Sequence, residues 1–163
     1  MKHASSALVL DYWNDRRRNR PAPDRADIDP AEIRQALGDT FMLAADFVDE
    51  LRFRLAGTRV CALFGREIKG ESFTALWGAD CRGQIDELIA AVTHEAVGEV
   101  AGLIGTAADG AETEIERLLL PLARTGHARI RALGVLAPLV PRYCLGEKPV
   151  VALDRRTLRQ TSR

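Results

Sequence analysis

The stretch Leu51–Gly70, LRFRLAGTRVCALFGREIKG, leaves little freedom in how the chain around it can fold. Leu51, Phe53 and Leu55 alternate with Arg52 and Arg54, the period of a half-buried β-strand. Ala56-Gly57 breaks that run, and Thr58 occupies the N-cap position of a short helix over Arg59–Phe64. Gly65 stops the helix, and residues 66–70 form a polar loop. A strand that turns at once into a helix puts Gly57, Thr58 and Arg59 at one end of a sheet. Backbone amides are free there, which makes the turn a candidate ligand position.

Taken in order, the chain predicts a helix over residues 5–18, capped by Ser5 or Ser6, with Leu8, Val9, Tyr12 and Trp13 on or near one face. Pro21 and Pro23 predict an extended linker. Asp29-Pro30-Ala31-Glu32 has the pattern of a capping box and predicts a short helix ending at Gly38. Strands are expected near 40–47, 51–57, 99–107, 112–123 and 128–137. Turns lie at Val48-Asp49-Glu50, Asp109-Gly110 and Thr125-Gly126-His127. Between the second and third strands, Ile85, Leu88, Ile89 and Val92 line one face of a longer helix. Residues 142–163 hold six Lys/Arg against two Asp/Glu with little periodicity, which predicts a flexible basic tail. The units are thus an N-terminal helix and linker over 1–25, a domain over 26–140 and a tail over 141–163. Tight turns make successive strands antiparallel, so the class is α+β: a five-stranded antiparallel sheet with helices on one face and an N-terminal helical extension.

Charge excludes some functions. Lys+Arg and Asp+Glu both number 23, so no net field favours nucleic acid or an anionic membrane. The arginines between 16 and 25 interleave with aspartates, which cancels their local field. No apolar run reaches the length of a membrane span or of a secretory signal, so a cytoplasmic location is expected. Three cysteines without CxxC spacing argue against a disulfide framework or a zinc site. His3, His94 and His127 form no metal-ligand spacing; His94 is the one borne on a helix. The chain has no Ser-His-Asp order and no GxxxxGK[ST] loop, and Glu112, Glu114 and Glu116 read as a solvated strand face. The expectation is a protein without catalytic residues. No cofactor is identified by the sequence.

The chain resembles a bacterial family of short PAS-like proteins to which no defined activity is attached. The match is carried by Tyr12-Trp13, Arg20-Pro21-Ala22-Pro23, Asp27-Ile28-Asp29-Pro30, Arg52–Arg59, Phe64-Gly65-Arg66-Glu67, Leu118–Leu122 and Leu133–Pro138, and so runs through most of residues 8–138. The resemblance implies the PAS fold and a signalling role. Such a domain senses a small molecule between sheet and helices, or acts as a protein-contact module with a side-chain-filled core. A small enzyme is the weakest reading, and no output domain fits the residues left over. The resemblance also raises flavin photochemistry, which requires an Asn-Cys-Arg setting. Val60-Cys61-Ala62 and Asp80-Cys81-Arg82 do not provide it.

The expected ligand-binding residues are Arg54, Thr58, Arg59, Phe64 and Trp77. Arg54 and Arg59 either grip an anion by the guanidinium fork or fasten strand to helix by pairing with Glu67, Glu114 or Glu116; the second use is commoner. Phe53, Phe64, Phe73 and Trp77 either wall a pocket or form plain core. Trp77, with an N–H to satisfy, leans toward a cavity edge. Leu8, Val9, Tyr12 and Trp13 are the expected interface of a homodimer, with packing of that helix on its own sheet as the alternative.

Overall fold

The computed structural model describes residues 1–45, 50–123, 130–141 and 148–160. The turns expected at 48–49 and 125–127, with His127 and Cys144, lie outside these residues. So does the side chain of His94. The elements are α1 (Ala4–Arg17), β1 (Thr40–Ala45), β2 (Leu51–Ala56), α2 (Thr58–Phe64), α3 (Arg82–His94), β3 (Glu99–Ala107), β4 (Glu112–Pro121), β5 (Ile130–Pro138) and β6 (Val150–Gln160), joined by short 3-10 turns. All strands are antiparallel neighbours in one sheet, ordered β2-β1-β5-β4-β3-β6.

The sheet has six strands, not five. The sixth comes from the stretch expected to be a flexible tail: β6 pairs with β3 from Glu99↔Gln160 to Ala107↔Val150. Two register shifts interrupt that ladder, so the buried Val150 and Leu153 stand three residues apart. Strict alternation, the pattern by which a strand is recognised, is lost there.

Side-chain alternation divides the sheet into two buried faces. The inner face carries Phe41, Leu43, Phe53, Leu103, Ile115, Leu119, Ala132 and Leu136. Over it pack Val60, Leu63 and Phe64 of α2, Ile85, Leu88 and Val92 of α3, and Phe73, Leu76 and Trp77 from the connecting turns. The helical face expected of α3 is the one buried, with Ile89 partly buried against the same cluster. Gly134 is required on this face, because an added Cβ would sit 2.2 Å from the Phe41 ring.

The opposite face carries Met42, Leu118, Leu120, Leu133, Val135 and Ala137, and helix α1 covers it with Val9, Tyr12 and Trp13. Trp13 Nε1 donates to the Pro121 carbonyl at 2.8 Å, and Tyr12 Oη donates to Asp27 O at 3.1 Å while accepting from Asp29 N–H at 2.7 Å. The Pro-containing linker is bonded as well: Ala123 N–H donates to Pro23 O at 2.9 Å, and Arg20 pairs with Asp24 at 2.9 Å and Asp27 at 2.5 Å. Helices therefore lie on both faces. The patch expected at a two-fold contact is spent within the chain, since Val9, Tyr12 and Trp13 are buried and Leu8 is half-buried.

Three local expectations are corrected. Residues 30–36 form successive turns with i→i+3 bonds rather than a helix, and Glu32 reaches Arg16 instead of closing a capping box. Helix α2 begins at its expected cap, one residue early: Gly57 is the N-cap and Thr58 the first helical residue. Only glycine fits there, since an added Cβ would lie 2.1 Å from Leu37 O. In α1 the cap is His3, whose Nδ1 accepts from Ser5 N–H at 3.2 Å, and Ser5 and Ser6 are buried in the first turn.

Candidate functional site

The strand-to-helix turn that organises the sequence is a fastening point. Arg59 Nε and Nη2 donate to the two oxygens of Asp39 at 2.7 and 2.8 Å, and Nη2 also reaches Gln35 O at 3.2 Å. Asp39 is buried and accepts from Ser5 Oγ at 2.6 Å. One carboxylate thus ties α2, the Leu37–Asp39 turn and the start of α1 together. Burial would push the Asp39 carboxyl up, but the Arg59 fork and the Ser5 hydroxyl outweigh it and hold the group below its ordinary range. Arg54 and Thr58 are exposed on the outside of this turn. Of the five expected ligand residues, the structure brings Phe64 and Trp77 into the inner core and leaves Arg54, Thr58 and Arg59 away from it.

The inner face contains a different arginine. Arg117 on β4 is in phase with Ile115 and Leu119, so its side chain enters the apolar layer, where it is 0% exposed. Arg117 Nη2 donates to Glu99 Oε1 on β3, and its guanidinium carbon lies 5.4 Å from the centre of the Trp77 ring. Such a desolvated cation–π contact is worth about 2 kcal/mol. Arg117 Nε, Arg117 Nη1 and Trp77 Nε1 have no hydrogen-bond partner among the described residues. Arg155 on β6 adds a second positive charge, with its Nη2 bonded to Gln84 Oε1 of α3 at 2.7 Å. Burial first, and then Arg155, push the Arg117 pKa down to about 9.

A chain of aromatic rings runs from this cluster into the core. Trp77 meets Phe73 edge-on with centroids 5.9 Å apart, and Phe73 stands 5.8 Å from Phe53 and 6.1 Å from Phe41. The site thus joins buried donors to an apolar aromatic wall, the composition of small-molecule sites. The sequence does carry a signal for Arg117. It is a charge at an inward position of the run Ile115–Leu119, two residues from an apolar neighbour on either side.

The other two features the sequence singled out are structural. Glu116 is not solvated like Glu112 and Glu114; it is buried and accepts from the backbone N–H groups of Lys2 at 2.6 Å and His3 at 3.0 Å. Cys61 is half-buried with Sγ 3.5 Å from Glu67 Oε1, and burial pushes its thiol pKa up, away from thiolate chemistry. A cavity of about 430 Å³ lies on the opposite side of the sheet, lined by Met1, Lys2, Val100, Gly102, Glu114 and Leu139 among others. Among the described residues no three His, Cys, Asp or Glu side chains come together, and no helix is long and apolar enough to cross a membrane.

Comparison with known proteins places this geometry. A family model described as PAS domain matches residues 1–137. Among solved structures, the dark state of the LOV domain of the blue-light photoreceptor Aureochrome1 is similar at a TM-score of 0.50 and 17% identity, covering 65% of this chain and 78% of that one. The light state of the same domain gives 0.50 and 17%, covering 68% and 88%. A PAS domain of an HTR-like protein from Haloarcula marismortui gives 0.47 and 16%, covering 66% and 90%. No curated protein matches the sequence.

Proposed function

The chain belongs to the PAS domain family, and on that premise we propose that it is a cytoplasmic sensory domain that holds a small molecule between the inner face of its sheet and the covering helices. The reading rests on one observation: three buried donor nitrogens, on Arg117 and Trp77, lack partners among the described residues beside a wall of aromatic rings. Folded proteins satisfy nearly all such groups, so orphans concentrated at one place mark where an absent partner belongs. The domain's role is regulatory rather than catalytic.

A second reading, a protein-contact module with a filled interior, is favoured by the ring packing of Phe41, Phe53, Phe73 and Trp77, which occupies the space a ligand body would need. Flavin adduct chemistry, as in a photoreceptor, is not part of the proposal, because neither Cys61 nor Cys81 has the required sequence setting. Native mass spectrometry of protein purified from its own host separates the two readings. The sensory reading expects a non-covalent small-molecule adduct, and the contact-module reading expects the bare protein mass.

A further inference from the structure

The inference concerns the ligand's chemistry, and it rests on the sensory reading above. Arg117 is 0% exposed and Trp77 2%. Arg117 Nε, Arg117 Nη1 and Trp77 Nε1, without partners among the described residues, are all donors, and neither side chain offers an acceptor in exchange. The carboxylate that Arg117 meets among the described residues, Glu99, is engaged by Arg117 Nη2. Arg155 contributes repulsion, not an acceptor, and is held by Gln84. Arg117 thus sees a second cation, the half-buried Arg155 at the edge of the layer, against one buried anion, in an interior where uncompensated charge is expensive. Arg117 keeps its proton at neutral pH even with its pKa pushed down to about 9. A ligand bringing donors would worsen the imbalance. A neutral acceptor would fill the donors and leave the charge; an anion corrects both.

We propose that the inner face at β3, β4 and the Thr74–Leu76 turn binds a small carboxylate with an aromatic or apolar body. Its oxygens accept from the free N–H groups of Arg117 and Trp77. Its body lies along Phe73 and displaces part of the ring chain toward Phe41 and Phe53. Arg–carboxylate pairing supplies the charge, and the rings supply the apolar contact.

The test uses thermal melts of the full chain with benzoate and with benzamide, its neutral isostere, for the wild type and for Arg117→Met. Benzoate should bind the wild type at least tenfold more tightly than benzamide, and Arg117→Met should abolish that preference. Arg117→Met/Glu99→Gln, which leaves no buried unpaired carboxylate, serves as a second folded reference and should also show none. Benzamide binding as well as benzoate overturns the assignment, as does a benzoate preference that survives both substitutions. If the molecule copurified from the native host is neutral, the ligand class is wrong and the sensory reading stands. If neither probe shifts the melt and nothing copurifies, both fail.

Discussion

Arg117 reaches Glu99 diagonally across the β3–β4 ladder: the register sets Ala101 opposite Arg117 and Leu119 opposite Glu99, yet the guanidinium and carboxylate meet on the inner face. Buried pairs of this kind cost nearly as much in desolvation as they return. Breaking the pair with Glu99→Ala should destabilise the protein by about 3–5 kcal/mol, because Arg117 is then buried uncompensated. Replacing both partners, as Arg117→Met/Glu99→Leu, should be neutral or stabilising by about 1–4 kcal/mol. Urea unfolding of the three proteins checks this. A double variant as damaged as Glu99→Ala would mean that the pair exists for stability rather than for a ligand.

The pH dependence of Arg117 has a definite sign. Its pKa is lowered in the folded state, to about 9, so above about 9 the unfolded chain holds a proton that the folded chain has lost. Stability then rises with pH through that window, and the cost of the buried charge is present in full below it. Relative to Arg117→Met, the wild type should gain stability between pH 9 and the limit of alkaline measurement. An unchanging difference between the two proteins over that range would place the Arg117 pKa elsewhere.

At the acid end, Asp39 contributes one step. Its folded pKa lies below the ordinary value, so its stabilisation is present above the unfolded pKa and is lost as pH falls through the folded one. Asp39→Asn should lower stability at neutral pH and flatten the acid limb. A similar loss from Arg59→Gln, without additivity in the double variant, would confirm that the two side chains act as one unit.

Trp13→Ala should cost about 3–5 kcal/mol, as for other buried aromatic residues. Deleting residues 1–18 uncovers the sheet face of Leu118, Leu120, Leu133 and Val135 and should give a poorly folded, aggregating product. A truncated chain that melts like the full one would contradict the packing of α1 on its own sheet.

The fold was legible where one residue pattern served one face. Leu51–Arg54 alternates because its outward side chains are exposed, although a register shift against β1 leaves Leu55 exposed as well, and Ile85, Leu88 and Val92 mark α3 because only one helical face is buried. β6 was not, because its register shifts break the alternation. The pairing of Arg59 was not legible for a related reason. Glycine, threonine and arginine after a strand look like an anion cradle, but whether Arg59 is free depends on Asp39, twenty residues earlier and brought near only by the fold. Arg117 was in view all along at an inward strand position. What could not be read was that β3 and β4 leave two of its nitrogens without a partner among the described residues. The partner possibilities for Trp13 were open for the same reason, since its acceptor at Pro121 is far away in sequence.

The ring contacts offer an optical readout. The chain has two tryptophans, so a Trp13→Phe protein reports Trp77 alone. Occupation of the inner face should change Trp77 emission, because the indole would gain a hydrogen bond and lose part of its contact with Phe73. Titration with benzoate should therefore give a saturable signal in Trp13→Phe and none in Trp13→Phe/Arg117→Met.

The most direct measurement is a crystal structure of protein purified from its own host, read at the inner face. The account predicts density for a small molecule in contact with the free nitrogens of Arg117 and the indole N–H of Trp77, with Phe73 moved aside. Density showing only the protein's own side chains there, with those nitrogens bonded to ordered water, would contradict it.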